Sequence, residues 1–119
     1  MDATTPTEGI RTVVHPVSDL AAAKAMYAAL LGMEPTTDSP YYVGFEAAGQ
    51  QIGLAPVSKP EELTGPVSYW HVADIDAKLA EVTAAGGSVK DAPKHVGNGR
   101  RVATFTDPSG NVLGLLQDA

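Results

Sequence analysis

The chain has 119 residues, a length that suits one domain with a core large enough to fold without a metal or disulfide staple. It contains no cysteine, which removes disulfides, thiolate metal sites and cysteine nucleophiles from consideration. A net charge of −6 repels phosphate backbones, so nucleic acid and anionic membranes are not expected partners, whereas a cationic small molecule is compatible.

Met1 to Gly9 is polar, does not read as a signal peptide, and is expected to be a flexible arm. No apolar run approaches the length needed to cross a bilayer, so a cytoplasmic protein is expected. Ile10 to Val17 is β-branched and reads as a strand that ends at Ser18-Asp19, where a side-chain oxygen caps a following helix. Leu20, Ala23, Tyr27, Leu30 and Leu31 fall at helical spacing, and Gly32 supplies the left-handed residue that ends the helix. Tyr41 to Glu46 and Gln51 to Val57 form a strand pair around Ala47-Ala48-Gly49-Gln50. Lys59 to Pro66 reads as a linker that carries the adjacent carboxylates Glu61 and Glu62.

The order then returns. Val67 to Val72 is a strand, Asp74 a cap, and Ile75, Leu79 and Val82 share a helix face that closes at Gly86-Gly87. Ser88 to Lys90 is a further strand candidate, Lys94 to Arg100 a glycine-rich loop, and Arg101 to Thr106 a strand. Asp107-Pro108-Ser109-Gly110-Asn111 is a turn before the strand Val112 to Leu116.

The return is a repeat. Val17, Asp19, Ala22, Ala25, Ala29 and Gly32 each find the same residue type 55 positions later. After the helices the offset becomes 61, so that Gly49, Gly53 and Leu54 recur as Gly110, Gly114 and Leu115. A duplicated βαβββ unit accounts for both registers. The expected organisation is an arm over 1–9 and one α+β domain over 10–117, with unit one at 10–57, a linker at 58–66 and unit two at 67–117.

These residues resemble the vicinal oxygen chelate superfamily, which includes glyoxalases, bleomycin-resistance proteins and extradiol dioxygenases. The carriers are Val17-Ser18-Asp19-Leu20, Tyr27 and Leu31-Gly32-Met33 in the first unit, with Asp107 to Asn111 and Leu113-Gly114-Leu115 in the second. The resemblance implies two tandem units forming a curled mixed sheet around a pocket, helices outside, and a homodimer. It also implies that metal-dependent members place ligands at positions that correspond here to Thr12, Gly53, Val67 and Gly114. None of these is a credible ligand, so no metal and no cofactor is expected.

Strand alternation places Thr12, Val14, Gln51, Gly53, Val67, Tyr69, His71, Val112 and Gly114 on the pocket face, and turns His15 and Trp70 toward the helices. This lining is mostly apolar with a few polar groups, the composition of a small-molecule site. Gly53 and Gly114 either admit a flat ligand to the backbone or serve close packing. Tyr41, Tyr42 and Tyr69 are candidates to stack on an aromatic ligand, or core residues. His71 and Tyr69 are the candidate acid/base groups of an enzyme, and Arg100 and Arg101 are either gating or solvated side chains. His95 lies in the glycine-rich loop, where alternation assigns it no direction. The leading expectation is a metal-free protein that binds a cationic or aromatic small molecule. The alternatives are a lyase, isomerase or dioxygenase-type enzyme using His71 as an acid/base group or as a non-standard metal ligand with a carboxylate from elsewhere, and a regulatory module with a vestigial pocket.

Overall fold

The computed structural model describes residues 6–59, 61 and 65–119, and its chain divides into two compact units, one of residues 11–67 and the other of residues 68–119 with the segment leading to Ile10. Each has the order strand, helix, three strands. The first contains β1 (Ile10–Val17), α1 (Leu20–Leu31), β2 (Thr37–Ser39), β3 (Tyr42–Ala47) and β4 (Gln50–Pro56). The second contains β5 (Val67–His71), α2 (Ile75–Ala84), β6 (Ser88–His95), β7 (Arg101–Thr106) and β8 (Val112–Gln117). The fold class is α+β.

The capping aspartates start both helices. Asp19 accepts the Ala22 amide at 3.0 Å and Asp74 accepts the Ala77 amide at 3.0 Å, each supplying a partner that the first helical turn cannot provide for itself. The glycines that the repeat pairs do different work. Gly32 ends α1 in the left-handed region at φ 68°, and its amide reaches Ala28. Gly87 instead lies close to the backbone of α2 and β7, where a Cβ would stand 3.1 Å from the Val82 carbonyl and 3.3 Å from that of Thr106.

Within the first unit the strand order is β2-β3-β4-β1, with β4 and β1 parallel and the other neighbours antiparallel. In the second unit β6-β7-β8-β5 repeats this order, again with one parallel pair, β8 and β5. The β3–β4 hairpin turns through Ala48 and Gly49, both at positive φ (54° and 79°), as a two-residue connection with the handed twist of the strands requires.

One face of each sheet is covered by its helix. Val43, Phe45 and Leu54 pack with Leu20, Ala23, Tyr27 and Leu31 in the first unit. In the second, Phe105, Ala103 and Leu115 pack with Ile75, Leu79 and Val72. His15 and Trp70 lie on these helix-covered faces, as alternation requires: the His15 ring is 5.1 Å from that of Tyr27, and Trp70 packs against the second core.

Three features depart from the sequence expectation. Strand β2 has no counterpart among the elements expected from the sequence, because a three-residue polar edge strand (Thr37–Ser39) has no periodic signal. Strand β6 extends to His95, well past Lys90, through register shifts between Val89 and Asp91 and between Asp91 and Lys94, and such bulges break the alternation that marks a strand. His95 therefore ends a strand and pairs with Arg101. At the other end of the chain Glu8 and Gly9, inside the expected arm, exchange backbone hydrogen bonds with His71 at 2.8 and 3.0 Å. Residues 1–5, Pro60 and residues 62–64, which include Glu62 and much of the expected linker, lie outside the described residues. Among the described residues no helix is long and apolar enough to cross a membrane.

Candidate functional site

The faces opposite the helices carry the residues singled out from the sequence. In the first unit β1 and β4 run parallel with Thr12 beside Gln51 and Val14 beside Gly53. The buried Thr12 hydroxyl donates to Gln51 Oε1 at 3.0 Å, so these two polar groups satisfy each other. In the second unit Tyr69 pairs with Gly114 and His71 with Leu116, while Val112 sits opposite Thr106 at the start of β8. Val67 is buried and shares the Tyr69 face by alternation along β5.

Gly53 and Gly114 are both covered by aromatic rings. A Cβ built on Gly53 would meet the phenol of Tyr42, with Cζ at 2.7 Å and Cε1 at 2.8 Å, and the same ring lies 3.1 Å from a Cβ on Gly44. A Cβ built on Gly114 would meet Tyr69, with Cε2 at 2.5 Å and Cγ at 2.7 Å. The space that would have admitted a ligand to the backbone is thus filled from within the sheet. Of the two readings of these glycines, close packing holds.

The two rings arrive from different strands. Beside Gly53 on β1 stands Val14, and the ring comes from Tyr42 on β3, two residues before Gly44, the partner of Gly53. Beside Gly114 on β5 stands Tyr69 itself, and Val102, two residues before the partner Thr104, takes the place that Tyr42 has in the first unit. Each glycine has one tyrosine and one valine around it, on exchanged strands.

A polar group extends from His71. Its ring is almost fully buried (4 % exposed), with Nδ1 at 3.6 Å from Asp118 Oδ2, and the other Asp118 oxygen accepts from Arg100 Nε at 2.7 Å. Arg100 is fixed in the hairpin by backbone hydrogen bonds to Gly97 and Val96. Sequence reasoning passed over Asp118, although alternation beyond Leu116 puts it on the His71 side. It also passed over Thr104, whose buried hydroxyl donates to Asp91 Oδ2 at 2.6 Å.

Neither arginine is a free gating arm. Arg100 is committed to Asp118, and Arg101 forms a two-pronged pair with Asp76 at 2.8 and 3.1 Å. Hydrogen bonding to Arg101 holds the Asp76 carboxyl below its ordinary range and raises the guanidinium in turn. Tyr41 is 82 % exposed and contributes to neither core cluster, while Glu61 is exposed. An open apolar groove of about 480 Å³ lies on the helix side of the second unit, lined by Leu79, Ala80, Thr83, Val89 and Pro93, and contains none of the candidate site residues expected from the sequence.

The four positions that correspond to metal ligands do not fit a metal. The Thr12 hydroxyl is engaged, Val67 offers no donor, and rings occupy the space where side chains at residues 53 and 114 would project. Among the described residues no three of His, Cys, Asp or Glu converge on a point.

Solved structures share this architecture. Methylmalonyl-CoA epimerase from Mycobacterium tuberculosis superposes with a TM-score of 0.75 at 20% identity, covering 100% of this chain and 93% of its own. A structure described as NAD-dependent benzaldehyde dehydrogenase from Legionella pneumophila gives 0.72 at 20% identity, covering 91% and 98%. A glyoxalase/bleomycin resistance protein/dioxygenase superfamily member from Vibrio splendidus 12B01 gives 0.67 at 18% identity, covering 95% and 100%. At such identities the likeness is one of fold. No curated protein matches the chain in sequence. The sequence profile of one family does match, over residues 9–115, and it spans both copies of the repeated unit together with the cap, turn and glycine residues that define them. The chain belongs to the Glyoxalase/Bleomycin resistance protein/Dioxygenase superfamily.

Proposed function

We propose that this chain binds a small aromatic or cationic molecule without a metal, on the helix-free faces that carry Tyr42 and Tyr69. The carrying observation is that a tyrosine ring lies over each of the two glycines that stand where metal-dependent relatives are expected to place carboxylates. A phenol ring offers a flat apolar surface and a hydroxyl, which suits stacking and one oriented hydrogen bond and does not suit chelation. The charge of −6 favours approach of cations over anions.

Two measurements test this reading. Equilibrium dialysis against zinc, nickel and manganese, followed by elemental analysis, is expected to leave no bound ion, and one ion per chain that disappears with His71→Ala overturns it. Thermal-shift screening of aromatic amines is expected to give ligands whose affinity falls at least tenfold with Tyr69→Leu or Tyr42→Leu. A screen without ligands supports a vestigial pocket instead.

A second reading, an enzyme, is favoured by one observation: His71 is buried beside an Asp118 carboxylate that Arg100 holds in place. A carboxylate beside one imidazole nitrogen leaves the other to take a proton from a substrate. Turnover of methylmalonyl-CoA or of a glyoxalase substrate, lost in His71→Ala, would establish it.

A further inference from the structure

Asp91 stands at the outer end of a row of residues that crosses the second unit. The strand register sets Asp91 of β6 opposite Thr104 of β7, Thr104 opposite Gly114 of β8, and Gly114 beside Tyr69 of β5. Ala103 and Phe105 belong to the core under α2, so Thr104 and the rest of its row lie on the helix-free face. The buried Thr104 hydroxyl donates to Asp91 Oδ2 at 2.6 Å, which fixes the carboxylate and leaves Oδ1 without a hydrogen bond among the described residues. Register shifts on both sides of Asp91 aim its side chain independently of the strand's alternation. Asp91 is exposed, and among the described residues it forms no ion pair. The first unit supplies the contrast: its matching row, Thr37, Gly44, Gly53 and Val14, contains no ionisable group.

We infer that this row is a subsite for a protonated amine joined by a short alkyl chain to an aromatic ring, an inference that rests on the metal-free binding reading above and names its ligand class. Asp91 Oδ1 accepts from the ammonium in a charge-assisted hydrogen bond, while Thr104 holds the other oxygen. The half-buried Tyr69 ring, which lies over Gly114, offers a flat face on which the ligand's ring stacks. That ring sits over β8, two strand spacings from β6, or about 10 Å. Allowing about 3 Å for the hydrogen bond, a chain of about four carbons joins ring and nitrogen. Lys94, opposite Val102 on the same face, forms no ion pair with Asp91 and competes with the ligand's charge. The uncharged row of the first unit offers no second place for the ammonium, so one amine binds per chain.

Isothermal titration with phenylbutylamine at about pH 7, where the amine is protonated, tests this against phenylbutanol, its neutral counterpart. The amine is expected to bind one per chain and at least tenfold more tightly than the alcohol. Asp91→Asn, whose amide oxygen still accepts from Thr104, is expected to weaken the amine at least tenfold and to leave the alcohol unaltered. Lys94→Gln is expected to strengthen the amine, and Glu34→Gln, the same charge change as Asp91→Asn but past the end of α1, to leave it as it was. An amine bound no better than the alcohol, or bound equally well by Asp91→Asn, overturns the subsite. The broader reading survives that result if Tyr69→Leu still weakens both compounds. A chain that binds neither compound overturns the subsite and counts against the broader reading as well.

Discussion

The Tyr42 ring lies across Gly53, with its Cζ 2.7 Å from the point where a methyl group on that glycine would stand. Gly53→Ala is therefore expected to destabilise the chain by about 1 to 3 kcal/mol, the usual cost of overpacking a closed site. In a Tyr42→Ala background the same substitution is expected to cost much less, because the obstructing ring is gone. Urea denaturation of the four chains of this double-mutant cycle measures the coupling.

His15 offers the opposite case. Its Nδ1 is buried and, among the described residues, has no hydrogen-bond partner, while its ring packs against Tyr27. An apolar side chain of similar size keeps the packing and removes the unsatisfied atom. His15→Leu is expected to raise stability by about 1 kcal/mol, read from the urea midpoint at constant m-value.

The turn at Asp107 predicts an acid dependence. Its carboxylate accepts from the Asn111 side chain at 2.9 Å and from the amides of Asn111 and Ser109, and these bonds hold it below its ordinary value of 3.8. The folded chain thus keeps Asp107 ionised to lower pH than the unfolded chain does. The resulting stabilisation is fully present above pH 3.8 and is lost as pH falls through the depressed folded value. Asp107→Asn is expected to flatten that part of the stability profile, measured by thermal melts between about pH 2 and pH 5.

Ala48 turns the β3–β4 hairpin at φ 54°, a conformation that costs an alanine roughly 1 kcal/mol. Ala48→Asn, with Gly49 unchanged, is expected to recover about half of that or more, seen as a higher melting temperature.

The elements with strong local chemistry were legible in the sequence. Asp19 and Asp74 marked both helix starts, Gly32 marked the end of α1, and the offset between Gly53 and Gly114 aligned the hairpins. Alternation also assigned His15 and Trp70 to the helix side. What escaped depended on contacts between residues distant in the chain. The Tyr42 ring over Gly53 is a diagonal contact across a strand pair, and nothing in the order of residues shows how a ring leans. The fixing of Arg100 by Asp118 escaped for the same reason, since a single aspartate after the last strand carries no local signal. Strand β6 was truncated at Lys90 because its bulges erase the two-residue period.

The exchange of tyrosine and valine around the two glycines makes the cover of each half depend on a different strand. One copy draws its ring from its third strand and the other from its first, with valine at the corresponding position of the other strand. Removing the ring on the third strand of the first unit therefore bares Gly53 alone, and removing the ring on the first strand of the second unit bares Gly114 alone.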